Sequence, residues 1–168
     1  MRGTVNGVFK DCTFTGQRGL RWCDAGDTVV FENCVFSGSV YGAHFDGGAN
    51  DVYFKGCTFS GFNAFGGEIT KLTLEDCTFK SNSLSSDNGV NLWGSTTMIR
   101  CEFIFDGTAA TEWVDCIGTD KTYVFEDCTV NGLKYTPENY LDFKDLIWSR
   151  NTGGVPATIN GVSCTIPY

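Results

Sequence analysis

Apolar residues recur along the chain in a fixed pattern around a set of cysteines. The pattern is an apolar residue, two further residues, Cys, one further residue and a second apolar residue. Its six copies are FKDCTF from Phe9, FENCVF from Phe31, FKGCTF from Phe54, LEDCTF from Leu74, MIRCEF from Met98 and FEDCTV from Phe125. The six cysteines stand 22, 23, 20, 24 and 27 residues apart, and a weaker seventh copy is centred on Cys164. Such a period is typical of a solenoid, in which each repeat forms one turn and packs on the next.

Each copy predicts two short strands joined by a sharp turn. The residue before Cys is Asp, Asn or Gly in five of the six copies, and these residue types tolerate a left-handed backbone. After the turn, Cys and the apolar residue two positions later share one face of a strand. A third strand is predicted upstream in the repeat, for example GLRW from Gly19. We therefore predict an all-β parallel β-helix over residues 1–132, with six to seven three-strand rungs of about 22 residues each.

The pattern changes after residue 132, where helix signals replace the repeat. Thr136 is placed as an N-cap and Pro137 suits the first helical position. We predict a short helix at about 137–148 and a final strand at about 157–166. Residues 133–168 would then form a C-terminal cap within a single domain, because an uncovered strand edge invites further pairing.

Composition and charge exclude several classes of function. The chain has 12 basic and 20 acidic residues, a net charge of −8, and such a surface repels phosphate. We expect no nucleic-acid partner. No run of 18 apolar residues occurs, so we expect no membrane insertion. The amino terminus lacks the apolar stretch of a signal peptide, and we expect the chain to be a fragment of a longer protein.

The nine cysteines do not have the spacing of a zinc site. No CxxC pair occurs, and the chain has a single histidine, His44. A column of thiols between phenylalanines can be a metal or redox site, or it can be a structural stack of small buried side chains. We favour the structural interpretation and predict free thiols, because in-register neighbours on parallel strands rarely have disulfide geometry.

The stacked repeats resemble the right-handed parallel β-helix repeats of the pectate-lyase-like superfamily over roughly residues 5–132. They are most similar to repeats in large surface proteins of gut Firmicutes and related adhesins. Polygalacturonases of the superfamily carry NTD, DD, GHG and RIK segments, and this chain has none of them. Pectin methylesterases carry QDTL and DFIFG, and only EFIFDG at 102–107 is similar to the second.

Two sets of residues are candidates for binding a ligand. Aromatic and cationic side chains on outer strand faces can stack on sugars or hydrogen-bond to them. The members of this first set are Arg21, His44, Tyr41, Tyr53, Trp93 and Trp113. Acidic turns can bind calcium through carboxylate oxygens, although turn formation alone also favours Asp and Gly. The members of this second set are Asp24, Asp27, Asp46, Asp51 and Glu68.

One aromatic ladder has two interpretations from sequence. Trp22, Phe45 and Phe65 each stand nine residues before an apolar repeat position, which predicts that they align on successive rungs. A ladder that faces inward is core, whereas a ladder that faces outward is a platform for sugar rings.

The candidate residues favour a non-catalytic function, because no set of them combines an acid, a base and a charge stabiliser. We expect an extracellular or cell-surface β-helix domain of a bacterial surface protein, monomeric and without a cofactor other than a candidate calcium ion. Its expected partner is a host glycoprotein, a glycan or an antibody. One alternative is a polysaccharide lyase or glycoside hydrolase. The other is a fragment of a phage tail fibre or spike, which would be trimeric.

Overall fold

The computed structural model describes residues 6–22, 28–81, 89–105 and 113–168. Asp24 and Asp27, two of the predicted calcium ligands, lie outside these residues. The described strands of the first half are β1 (Asn6–Lys10), β2 (Thr13–Trp22), β3 (Thr28–Glu32), β4 (Val35–Lys55), β5 (Thr58–Glu75), β6 (Thr78–Ser81) and β7 (Val90–Leu92). Those of the second half are β8 (Ser95–Ile99), β9 (Glu102–Phe105), β10 (Val114–Cys116), β11 (Tyr123–Glu126), β12 (Thr129–Val130), β13 (Leu133–Lys134), β14 (Ile147–Trp148), β15 (Val155–Ile159) and β16 (Val162–Ile166).

The strands stack in parallel register on three faces, which we number in chain order. On the first face the aligned residues are Phe9, Phe31, Phe54, Leu74, Met98, Phe125 and Ile159. On the second face they are Phe14, Phe36, Phe59, Phe79, Phe103 and Val130. On the third face they are Leu20, Ala43, Phe65, Val90, Val114 and Ile147. The all-β parallel solenoid predicted from the repeats is confirmed.

The core consists of aromatic rings stacked from rung to rung. Phe31 and Phe54 lie 4.9 Å apart between ring centroids, and Phe36 and Phe59 lie 5.0 Å apart. The two columns also meet edge to face, as between Phe54 and Phe59 at 5.0 Å. All four of these rings are fully buried. The alternation of apolar and polar residues in the repeat therefore places one aromatic ring per rung in each column.

The turns before the cysteines have the predicted left-handed backbone. The φ angles are 54° at Asp11, 53° at Asn33, 62° at Gly56, 54° at Asp76, 52° at Arg100 and 52° at Asp127. Arginine is unusual in this conformation. At Arg100 the side chain is held by Asp76, whose Oδ1 accepts a hydrogen bond from Nε at 2.7 Å, and by Glu75, whose Oε1 accepts one from an Nη atom at 2.8 Å.

The cysteines of the repeat are free thiols that line the inside of these turns. The single S–H of Cys57 has two weak acceptors within reach, the carbonyl oxygens of Lys55 at 3.4 Å and Phe31 at 3.5 Å. Burial raises the pKa of the Cys34 and Cys101 thiols. All eight described cysteines are unbridged, which confirms the prediction for the part of the chain that the structure describes.

The third face corrects the predicted ladder of Trp22, Phe45 and Phe65. Phe65 aligns with Ala43, while Phe45 aligns with Trp22 and Gly67. The reason is a bulge in β4: four residue steps from Phe45 to Ala49 face only two steps on β5. Residues at equal spacing from the repeat position therefore do not align with one another on this face. Phe45 and Phe65 are buried, so the inward interpretation is correct.

The predicted helix at 137–148 is wrong. The only helical segment in the described residues is a single turn of 3₁₀ helix at Tyr140–Phe143, and Ile147–Trp148 is the strand β14. The Asn139 side chain accepts a hydrogen bond from the Thr136 N–H at 2.8 Å and donates one to the Lys134 carbonyl at 2.8 Å. This closes a local turn in place of a helix start.

The predicted final strand at about 157–166 is two antiparallel strands, β15 and β16. They are joined at Asn160 and Gly161, whose φ angles are 47° and 80°. Cys164 pairs with Ala157 on the returning strand, so the weak seventh copy does not extend the cysteine column. Before this hairpin, Tyr135 is buried against Phe125 at 5.2 Å, which covers the last aromatic position of the first face.

Candidate functional site

Two cavities lie at the corner between the third and first faces, and Trp93 lines both of them. One cavity of about 250 Å³ is lined by His44, Phe45, Asp46, Gly67, Glu68 and Trp93. A second cavity of about 370 Å³ is lined by Gly48, Glu68, Ile69, Thr70, Trp93, Gly94 and Lys121. Because Glu68 and Trp93 line both cavities, we treat them as one site and call it the Trp93 groove.

Trp93 is exposed because the backbone turns sharply at its position. It follows the last residue of β7 and precedes Gly94. A Cβ atom added to Gly94 would lie 1.6 Å from the carbonyl oxygen of Ile69, so only glycine fits this close approach of two backbones. The turn leaves 49% of the Trp93 surface in contact with solvent. An exposed tryptophan in a groove is a flat apolar surface available to a ligand.

A charged cluster forms the third-face end of the groove. The Asp46 carboxylate accepts a hydrogen bond from Arg21 Nε at 2.5 Å, and its other oxygen lies 2.8 Å from His44 Nδ1. The Tyr41 ring stacks on the His44 imidazole with 4.2 Å between centroids, and the Arg18 guanidinium lies 5.6 Å from the Tyr41 centroid. The Arg18 guanidinium, the Tyr41 ring and the His44 imidazole thus form a row of planar groups that ends beside the Asp46 carboxylate.

The electrostatics of this cluster favour an ionised Asp46 and a neutral His44. Burial lowers the pKa of His44, the Asp46 charge acts against this shift, and the Arg18 and Arg21 charges reinforce it. Burial also acts to raise the pKa of Asp46, but the Arg21 hydrogen bond and the nearby positive charges outweigh it and lower that pKa. Near neutral pH, the imidazole is therefore a neutral hydrogen-bonding group.

The single histidine makes this balance measurable. We expect an NMR titration of the His44 ring protons to give a midpoint below 6.5. The Asp46→Asn variant should lower the midpoint further, because it removes the charge that favours the imidazolium. Since the unfolded chain then binds this proton more readily than the folded one, protonation of His44 opposes folding as the pH falls below about 6.5.

Asp51→Asn is the matched control for this titration, because Asp51 pairs with Lys71 on the first face at 3.4 Å. It should leave the His44 midpoint unchanged. A wild-type midpoint at or above 6.5, or an upward shift in Asp46→Asn, would contradict the described electrostatics.

Glu68 and Lys121 differ in their local pairing. Lys121 Nζ lies 2.8 Å from the Asp120 carboxylate. Glu68 is exposed and has no ion-pair partner among the residues that the structure describes. Its carboxyl carbon lies 4.0 Å from where a Cβ of Gly48 would stand, on the bulge of β4. One carboxylate without an ion-pair partner therefore lines the same two cavities as an exposed indole ring.

The structure brings together most, but not all, of the candidate binding residues. Arg21, Tyr41, His44 and Trp93 lie in or beside the groove. Tyr53 lies on the first face, where its hydroxyl donates a hydrogen bond to Glu75 that raises the pKa of Tyr53 to about 12. Trp113 is 2% exposed, so its ring faces the interior and cannot stack on a ligand from solution.

The candidate calcium residues that the structure describes do not form one cluster, although Asp46 and Glu68 line the same cavity. Asp46 is engaged by Arg21, Asp51 pairs with Lys71, and Glu68 lies in the groove. Across the described ranges, no three His, Cys, Asp or Glu side chains cluster in a way that could hold a metal ion.

Sequence reasoning missed Lys121, Thr70 and Gly48 as groove residues. These residues come from three different rungs, and the bulge of β4 determines how they align with one another across the strands. A repeat alignment alone carries no signal for this arrangement.

Comparison with known proteins identifies the family. A family model described as a right-handed beta helix region matches residues 1–152. No curated protein and no solved structure matches the chain. Within the described residues, no helix is long and apolar enough to span a membrane. Because the family match covers most of the chain and the strands form a parallel solenoid, the protein belongs to the right-handed β-helix family.

Proposed function

We propose that this protein is a non-catalytic β-helix domain of an extracellular or cell-surface bacterial protein, and that it binds a glycan in the Trp93 groove. The observation that carries the proposal is the half-exposed Trp93, which lines one cavity with His44 and Asp46 and a second cavity with Thr70 and Lys121. Sugar rings offer C–H faces that pack on an indole and hydroxyl groups that bond to carboxylates. The groove supplies both kinds of partner.

The rigid frame around Trp93 supports a binding function. The ring is carried by a turn between two strands that pair with neighbouring rungs on both sides. A ligand therefore meets a surface that is already in place, which reduces the entropy lost on binding. Glycans carried by a host glycoprotein would present the same chemistry as free oligosaccharides.

Proton transfer is less well supported than binding. A general acid in glycoside hydrolysis must hold its proton near neutral pH, and the pKa of Asp46 is lowered instead. A polysaccharide lyase or hydrolase is the second candidate, because a neutral His44 beside an ionised Asp46 is a suitable proton acceptor. Release of reducing ends or of unsaturated products from a bound polysaccharide would favour this second candidate.

The test is the affinity of the wild type and Trp93→Ala for a panel of oligosaccharides, measured by calorimetry. We expect the wild type to bind at least one of them and Trp93→Ala to bind it about tenfold more weakly or worse, as is common for a central tryptophan. The matched control is Tyr168→Ala, which removes a ring that is 69% exposed and outside the groove. It should bind like the wild type.

Two results would overturn the proposal: no binding to any oligosaccharide in the panel, or full affinity in Trp93→Ala. Melting temperatures of both variants establish that a loss of binding is not a loss of fold. We expect them to equal that of the wild type within a few degrees, because both side chains are on the surface.

A further inference from the structure

The charges of the Trp93 groove are unevenly compensated. Asp46 faces Arg21 and His44, and Lys121 faces Asp120. Glu68 alone among these ionised groups lines both halves of the groove without a described counter-charge. Glu68 is therefore a carboxylate without an ion-pair partner among the described residues, and it lines the same two cavities as the indole ring.

A cation is the chemical group that a carboxylate and an indole ring together bind best. A cation over the face of an indole is attracted by the ring quadrupole, and tryptophan is the strongest such partner. A carboxylate that lines the same cavities adds a direct Coulomb attraction for the same cation. An anionic sugar meets repulsion from Glu68, and the net charge of −8 repels it at longer range.

We propose that the Trp93 groove selects amino sugars with a free ammonium group, such as glucosamine oligomers, over neutral and acidic sugars. This inference depends on the proposed glycan-binding function and names its ligand class. One ammonium lies between Trp93 and Glu68, and hydroxyl groups of the neighbouring sugars meet Thr70 and the Asp46 carboxylate.

Lys121 distinguishes an amino sugar from a polycationic peptide. It lines the far half of the groove, so a ligand with closely spaced positive charges would place its second charge against an ammonium. A sugar chain can instead present neutral hydroxyl groups there. The groove thus fits a chain that carries hydroxyl groups on every unit, since these can face Lys121 in place of an amine.

The experiment compares four β-linked tetrasaccharides by calorimetry at low salt: glucosamine, N-acetylglucosamine, glucose and galacturonic acid, with tetralysine as a fifth ligand. We expect the glucosamine tetramer to bind about five- to tenfold more tightly than either neutral tetramer, and the galacturonic acid tetramer most weakly. The preference should fall as NaCl is added, because the carboxylate is exposed.

Two variants separate the contributions of charge and ring. Glu68→Gln should clearly reduce the preference for the glucosamine tetramer over the glucose tetramer, because only the attraction of the Trp93 ring for the ammonium remains, and it should retain affinity for the neutral sugar. The matched control, Glu126→Gln, removes an exposed carboxylate on the first face and should keep the preference. Trp93→Ala should weaken binding of all sugars.

The outcomes distinguish the selection of amino sugars from glycan binding in general. If no tetrasaccharide binds, the proposed function fails. If tetrasaccharides bind through Trp93 without preference for the amine, or if Glu68→Gln keeps the full preference, only the proposed selection of amino sugars is overturned. If tetralysine binds as tightly as the glucosamine tetramer, the groove recognises cations in general and the assignment to amino sugars is wrong.

Discussion

Phe54→Ala will lower the free energy of unfolding by about 3–5 kcal/mol, measured by urea denaturation. Phe54 is fully buried and packs against Phe31 on the preceding rung, Phe59 across the core and Phe45 on the third face. Truncation removes ring contacts in several directions at once. Because the ring lies in the middle of a stacked column, the neighbouring rungs cannot close the cavity without breaking their strand pairing.

Val35→Thr is the matched control for this prediction. Val35 is 40% exposed on the second face and aligns with Thr13 and Thr58 on the neighbouring rungs. Threonine fits this outer position in both neighbours, so we expect a change within about 0.5 kcal/mol. A Phe54→Ala variant with an unchanged urea midpoint would contradict the register of the aromatic columns.

Deletion of residues 133–168 will make the remaining chain aggregate, as measured by light scattering. The deleted segment contributes β15, which pairs with β11, and β14, which pairs with β10. It also supplies Tyr135, which covers Phe125. Without it, the last strands of the first and third faces present unpaired backbone groups and newly exposed apolar side chains, and such edges pair with other chains.

The control for the deletion removes only Tyr168, a C-terminal residue that is 69% exposed. This variant should stay monodisperse and keep its melting temperature. A chain lacking residues 133–168 that is equally monodisperse and stable would show that the C-terminal segment is an appendage and not a cover for the last rung.

The sequence predicts the first two faces well because one local rule determines them. Each turn needs a left-handed residue, and the cysteine after it must share a strand face with the next apolar side chain. Asp76 and Cys77, for example, have the backbone and the burial that this rule requires. The spacing of the copies then fixes the register of every rung on these faces.

The third face and the C-terminal segment depend on contacts that a local pattern does not contain. The bulge after Phe45 shifts its alignment by two residues relative to Phe65. At the C terminus, the Asn139 side chain bonds to Thr136 and Lys134 and closes a turn where Thr136 and Pro137 suggested a helix. Helix signals of this kind are weak priors that tertiary packing overrides.

The candidate site was predictable in its residue types but not in its geometry. The sequence indicates His44, Asp46, Glu68 and Trp93 as candidates, although as members of two different sets. Their meeting in one groove follows from the close approach of Gly94 to Ile69 and from the bulge of β4. These are features of neighbouring rungs, which one sequence repeat cannot show.

The most direct test of a glycan site at Trp93 is the NMR signal of its indole N–H during titration with an oligosaccharide. The chain has four tryptophans, so each indole signal can be assigned by single substitutions. Trp93 is 49% exposed in the groove, whereas Trp113 is 2% exposed and serves as an internal reference. We predict a saturable shift of the Trp93 signal and no shift of the Trp113 signal. Binding that leaves the Trp93 signal unchanged would contradict the assignment of the groove as the glycan site.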